Sequence, residues 1–176
     1  NLILYNIFVI NNKFEDNYFT PKTNDELLVA VNEWYNYKVE VIVEYGHISN
    51  WNTINISDIS GLFYGYENFN DNISDWNTSN IIDMSDTFKY CNQFNQSLNN
   101  WNVSHVIYMY DMFNGANKFN QPLNNWDTSN VIDMSHIFNN AYKFNQPLNN
   151  WNTSNVNSMY SMFDNARNFN QDLNMW

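Results

Sequence analysis

Few residues in this chain could carry catalysis. Its three histidines are His47, His105 and His136, and no two of them have metal-ligand spacing. His105 and His136 fall at different places in a repeated word, so both are expected as surface imidazoles. Asp58, Asp83 and Asp133 recur at one place in that word, with Tyr108 and Ser158 in the other copies. Paired glycosidase carboxylates need a cleft and an environment that separates their pKa values. A row of aspartates on a solvated helix face supplies neither. Cys91 is the single cysteine, which excludes an intrachain disulfide and a multi-cysteine metal site. With four glycines and no Walker loop, dinucleotide fingerprint or Gly-x-Ser-x-Gly elbow, a phosphate cradle is not expected. The expectation is a chain with no catalytic residues, no metal and no cofactor.

What does recur in chemically useful form is amide. Asn95-Gln96, Asn120-Gln121, Asn145-Gln146 and Asn170-Gln171 repeat in register, with Asn70-Asp71 one copy earlier. On a strand these residues would form parallel columns about 4.7–4.9 Å apart. Such columns could be a ladder that holds a stack together. The sharper alternative is a recognition face, because amides both donate and accept hydrogen bonds.

The elements that would position these columns follow from the period. Tryptophan falls at 51, 76, 101, 126, 151 and 176, a spacing of 25. Phenylalanine keeps that period twice, at 63, 88, 113, 138, 163 and at 69, 94, 119, 144, 169. A fixed period of this size means stacked supersecondary units. Taking Trp126 as a start, Thr128-Ser-Asn130 supplies helix-capping side chains. Val131, Met134, Ile137, Phe138 and Ala141 then follow at i, i+3, i+6, i+7 and i+10, one face of a short helix. Asn139-Asn140 and Asn114-Gly115 mark its end, where a left-handed residue is common. Phe144-Asn-Gln-Pro-Leu148 contains proline and is expected to be extended, with Asn149-Asn150 as a turn. Cys91 takes the slot of Ala116, Ala141 and Ala166 and reads as a small buried side chain.

The N-terminal part lacks the repeat word. Leu2–Ile10 reads as a strand, too short to span a bilayer, before a polar loop through Asn11, Asn12 and Asp16. Thr23-Asn-Asp-Glu26 is a capping box. Leu27, Ala30, Val31 and Trp34 make an amphipathic helix after it, and Val39–Tyr45 reads as a β-branched strand closed at Gly46. The predicted organisation is therefore a terminal segment and helix-strand cap over 1–50. Five repeats follow at 51–75, 76–100, 101–125, 126–150 and 151–175. The start at Asn1 and the stop at a repeat tryptophan read as a piece of a longer protein. Its uncovered last coil predicts end-to-end association.

Seven basic against eighteen acidic residues give a net charge of −11. That argues against nucleic acid and against anionic membrane surfaces, and no direct membrane insertion is expected. Asn-x-Ser/Thr words at Asn55, Asn72, Asn77, Asn95, Asn102 and Asn152 match the glycosylation pattern, but turn and capping chemistry produces the same words.

The words WNTSN-x-x-x-M-x-x-x-F and FNQPLNNW, with ELLVAVNEW and EYGHISNW ahead of them, resemble the BspA-like leucine-rich-repeat surface proteins. The repeats of that family also occur in mycoplasma-type lipoproteins. The resemblance covers about residues 23–176. It implies an α/β, leucine-rich-repeat-like solenoid of 25-residue coils in which Phe119-Asn-Gln-Pro-Leu-Asn-Asn125 lies on a concave strand. It also implies a cell-surface or extracellular place and a part in adhesion. The expected function is non-enzymatic binding of a protein or cell-surface ligand on the asparagine-rich face. Carbohydrate binding on that face, or service as a structural spacer, are the alternatives.

Overall fold

The computed structural model describes residues 18–176; the strand expected over Leu2–Ile10 and the loop after it lie outside the described residues. Helix α1 spans Asn24–Asn36, and Thr23 caps it by accepting a hydrogen bond from the Glu26 N–H at 3.1 Å. Glu26 reaches back to the Lys22 N–H at 2.7 Å, so two otherwise orphaned donors are satisfied at one helix end. Leu27, Ala30, Val31 and Trp34 form its buried face.

Val39–Tyr45 is not a strand. It lies within a second helix, α2, spanning Lys38–Tyr45 and burying only Val41. A strand needs a neighbouring extended edge to pair with. The first coil presents turns there instead, and local helical bonding satisfies the segment's own N–H groups. A short 3-10 turn over Ile48–Asn50 leads into Trp51.

The expected α/β solenoid of leucine-rich-repeat type is not formed. Among the described residues no coil contains a helix or a sheet strand. Only a line of single parallel bridges links Asp58, Asp83, Tyr108, Asp133 and Ser158. Where a helix was expected over Val131–Ala141, the backbone runs as overlapping four-residue turns. Ile137 N–H donates to Met134 O, Asn139 N–H to His136 O and Ala141 N–H to Phe138 O. The alternate N–H groups leave the coil: His136 donates to Tyr160 O, Phe138 to Met162 O and Asn140 to Asp164 O, all at 2.8–3.0 Å. A helix would have kept every one of these donors to itself.

The geometry needs left-handed backbone twice per coil. His136 and Asn140 have φ of 56° and 55°, and Asp86, Tyr90, Asp111, Ser161 and Asn165 do the same in other coils. Gly61, Gly65 and Gly115 fill the remaining places. Most of these are residue types that accept the left-handed region at low cost.

The core is aromatic. Phe63, Phe88, Phe113, Phe138 and Phe163 stack coil to coil with centroids 5.3–5.7 Å apart. A second column, Phe69 to Phe169, stacks at 5.8–6.0 Å. The two columns meet within each coil, as in Phe138–Phe144 at 3.9 Å. Each repeat tryptophan Nε1 donates to a main-chain carbonyl earlier in the chain, as Trp126 does to Leu98 O at 2.9 Å, whereas Trp34 Nε1 donates to Asp71 Oδ2. In the last coil Val156, Met159 and Phe163 are only half-buried, because no further coil covers them.

Cys91 is wholly buried, and its thiol donates to Phe63 O at 2.9 Å. Burial pushes the thiol pKa up to about 12, with a hydrogen bond from the Tyr66 main chain acting in the other direction. The folded state therefore keeps the proton that the unfolded chain releases near pH 9. This contribution to stability is fully present below pH 9 and is lost progressively as pH rises towards 12. At pH 8, iodoacetamide is expected to label Cys91 only in denaturant; rapid labelling of the native protein would contradict this burial.

Candidate functional site

The amide columns are built by the segment that was expected to be a strand. No strand forms there because side chains do the work of a neighbouring backbone. Asn120 N–H donates to Asn95 Oδ1, Asn145 N–H to Asn120 Oδ1 and Asn170 N–H to Asn145 Oδ1, each at 2.9 Å. The glutamines add a second bond to the same oxygens. Gln121, Gln146 and Gln171 donate through Nε2 to Asn95, Asn120 and Asn145 at 3.2, 3.1 and 3.0 Å. Asn95 and Gln96 bond Asn70 in the same way at 2.9 and 3.1 Å. Pro122 and Pro147, which follow two of the glutamines, have no N–H to place.

The oxygens of Asn70, Asn95, Asn120 and Asn145 are thus spent on the stack. Among the described residues, the asparagine Nδ2 groups and glutamine Oε1 atoms of Asn95, Gln96, Asn120, Gln121, Asn145 and Gln146 find no hydrogen-bond partner. These six side chains are half-buried, and Gln171 is too, whereas Asn170 is exposed at the end. The face is a row of fixed amides with one donor and one acceptor per coil still available.

The candidate catalytic groups do not assemble. His47 Nδ1 accepts from the Ser49 N–H at 3.2 Å, as a cap of the 3-10 turn. His105 is exposed, 3.5 Å from Ser104 Oγ. His136 lies 3.3 Å from Asn139 Nδ2 and edge-on to Tyr160. Asp58, Asp83 and Asp133 are not on a helix face. Each Oδ1 accepts the N–H two residues on, from Ser60, Ser85 and Ser135 at 2.7–2.8 Å, and opens the chain of turns. Asn72, Asn77, Asn102 and Asn152 make the same local turn, so their Asn-x-Ser/Thr words have a structural use. Asp127 takes that place in its coil, and the hydroxyl and N–H of Ser129 hold its carboxyl below the ordinary range. Among the described residues no group of His, Cys, Asp and Glu is arranged to hold a metal ion.

Sequence reasoning missed a second group on the chain of turns. Lys89 Nζ lies 2.8 Å from Asp86 Oδ1, an ion-pair contact without hydrogen-bond direction, and donates to Asp111 Oδ2 at 3.1 Å. Burial works against the ammonium, but its close contacts with the Asp86 and Asp111 carboxylates outweigh it and hold its pKa above the ordinary lysine range. Tyr64 and Tyr90 flank it at 5.8 and 5.9 Å from their ring centroids. Gly115 has no side chain because the Tyr90 ring lies over it; an added Cβ would meet Tyr90 Cδ1 at 2.6 Å. The readable signal was variability within the period. Places that hold Tyr64, Lys89, Asn114 and Asn139 in successive coils lie beside a phenylalanine that never changes.

No curated protein and no solved structure matches the chain. A family model described as Mycoplasma protein of unknown function, DUF285, matches residues 31–141 and 97–176. Together those matches take in the second half of α1, α2 and every stacked coil, and the chain belongs to this Mycoplasma family.

Proposed function

We propose that this chain is a non-enzymatic binding domain that holds a protein or cell-surface ligand along its amide columns. The observation that carries the reading is the set of unspent Asn Nδ2 and Gln Oε1 groups, fixed in register by the bonds that stack the coils. Preorganised polar groups bind at a lower ordering cost than mobile ones. The resemblance to BspA-like surface proteins supports a place at the cell surface.

The test is a screen of the domain against immobilised cell-surface proteins and a glycan array. A variant carrying Gln96→Lys, Gln121→Lys and Gln146→Lys is run beside it. Lysine keeps a donor for the preceding asparagine oxygen but removes the acceptor column. Loss of a hit in the variant, with an unchanged melting temperature, is the expected outcome. A hit that survives the substitutions, or no hit at all, rejects the amide face as the binding surface. The array half of the screen decides between protein and carbohydrate.

A further inference from the structure

We infer that the chain of turns carries a second interaction surface, separate from the amide columns, that docks an extended protein segment bearing arginine or lysine. The first ground is aromatic exposure. Tyr64, Tyr90, Tyr110 and Tyr160 are 51%, 44%, 38% and 70% exposed and come from the turn chain of the first, second, third and fifth coils. Inward residues of this segment obey the repeat, whereas these outward ones do not; Tyr64 packs edge-on to Tyr90 and Tyr160 to His136, yet each ring keeps a wide face to solvent.

The second ground is that this surface already holds cations of its own. Lys89 is held by the Asp86 and Asp111 carboxylates between the Tyr64 and Tyr90 rings. On a neighbouring part of the coils the Arg167 guanidinium lies 4.9 Å over the Tyr142 ring. Aromatic faces beside carboxylates attract ammonium and guanidinium groups by their quadrupole and by charge.

Charge complementarity is the third ground. The chain carries −11, and Asp58, Asp83 and Asp133 line the start of the turn chain. Among the described residues the ion pairs are Lys38–Asp71, Lys89–Asp86 and Lys89–Asp111, so those three aspartates have no basic partner. Each keeps one oxygen on its local turn and leaves the other without a hydrogen bond. A phosphate-bearing or acidic partner would meet repulsion here, whereas a basic peptide strand gains both the rings and the carboxylates.

A fluorescein-labelled nonapeptide of alternating arginine and glycine is the probe, titrated by fluorescence anisotropy at low and moderate salt. Tyr64→Ala with Tyr160→Ala leaves net charge untouched and is expected to weaken binding about tenfold, the sum of two exposed cation–π contacts. Asp83→Asn with Asp133→Asn is expected to weaken it further and to flatten the salt dependence. Asp75→Asn with Asp172→Asn removes the same charge away from the turn chain and is expected to change little. Equal binding by wild type and the tyrosine variant, or equal loss in both aspartate pairs, would reduce the attraction to bulk charge and overturn the site. No binding by wild type would overturn it as well. The Gln96, Gln121 and Gln146 lysine variant leaves the turn chain alone, so failure of the amide face does not touch this result.

Discussion

Phe138→Ala is expected to remove about 3–5 kcal/mol of stability, the range for deleting a fully buried phenyl group. Phe138 is fully buried and stacks on Phe113 and Phe163 at 5.7 Å, on Phe144 at 3.9 Å and on Trp151 at 6.0 Å. The cavity has little chance to close. The backbone on either side is tied to the next coil, by Phe138 N–H to Met162 O at 3.0 Å and Asn140 N–H to Asp164 O at 2.8 Å. Against a total stability of about 5–15 kcal/mol, the loss should uncouple the later coils from the earlier ones. Urea unfolding followed by tryptophan fluorescence measures it. Phe163→Ala, in the half-buried last coil, should cost clearly less. Equal losses at the two sites, or a loss below about 1 kcal/mol at Phe138, would mean that the phenyl columns do not hold the stack together.

Asn120→Ala is the second large effect. Asn120 Oδ1 accepts the Asn145 N–H at 2.9 Å and Gln146 Nε2 at 3.1 Å. Truncation leaves both donors without that acceptor, one of them main chain in a half-buried segment, and about 1–3 kcal/mol should be lost. Asn170 supplies the comparison, because no later coil lies above it to use its oxygen. Asn170→Ala should therefore be close to neutral. The same urea titrations separate the two cases, with hydrogen exchange at the Asn145 amide as a local readout. If Asn170→Ala costs as much as Asn120→Ala, the amide bonds are not what the columns contribute.

These two variants also separate what could be read along the chain from what could not. The inward positions were legible: Val131, Met134, Ile137, Phe138 and Ala141 are all fully buried, and so is Cys91 in the alanine slot. The capped helix after Thr23 was legible because its signals are local, a hydroxyl for the Glu26 N–H and an apolar face within four turns. The left-handed residues at Gly115 and Asn140 were legible from residue type. Tyr90, a bulky residue with φ of 61°, was not. The mixed site around Lys89 was hidden as well, since Asp86 and Asp111 come from different coils and meet only when these stack.

By itself the sequence determined the 25-residue period, which side chains turn inward and the acidic character of the surface. Only the tertiary structure decided how the backbone between those side chains is bonded. A spacing of i, i+3, i+6 and i+7 reports a buried face, and a chain of overlapping turns presents the same face as a helix does. The two differ in where alternate N–H groups go: into their own turn, or to a carbonyl about 24 residues later, as from Met134 to Ser158. The β-branched run of α2 shows the same limit from the other side. Its residues favour a strand, but a strand exists only where a neighbouring edge accepts its hydrogen bonds, and that edge is absent beside the first coil.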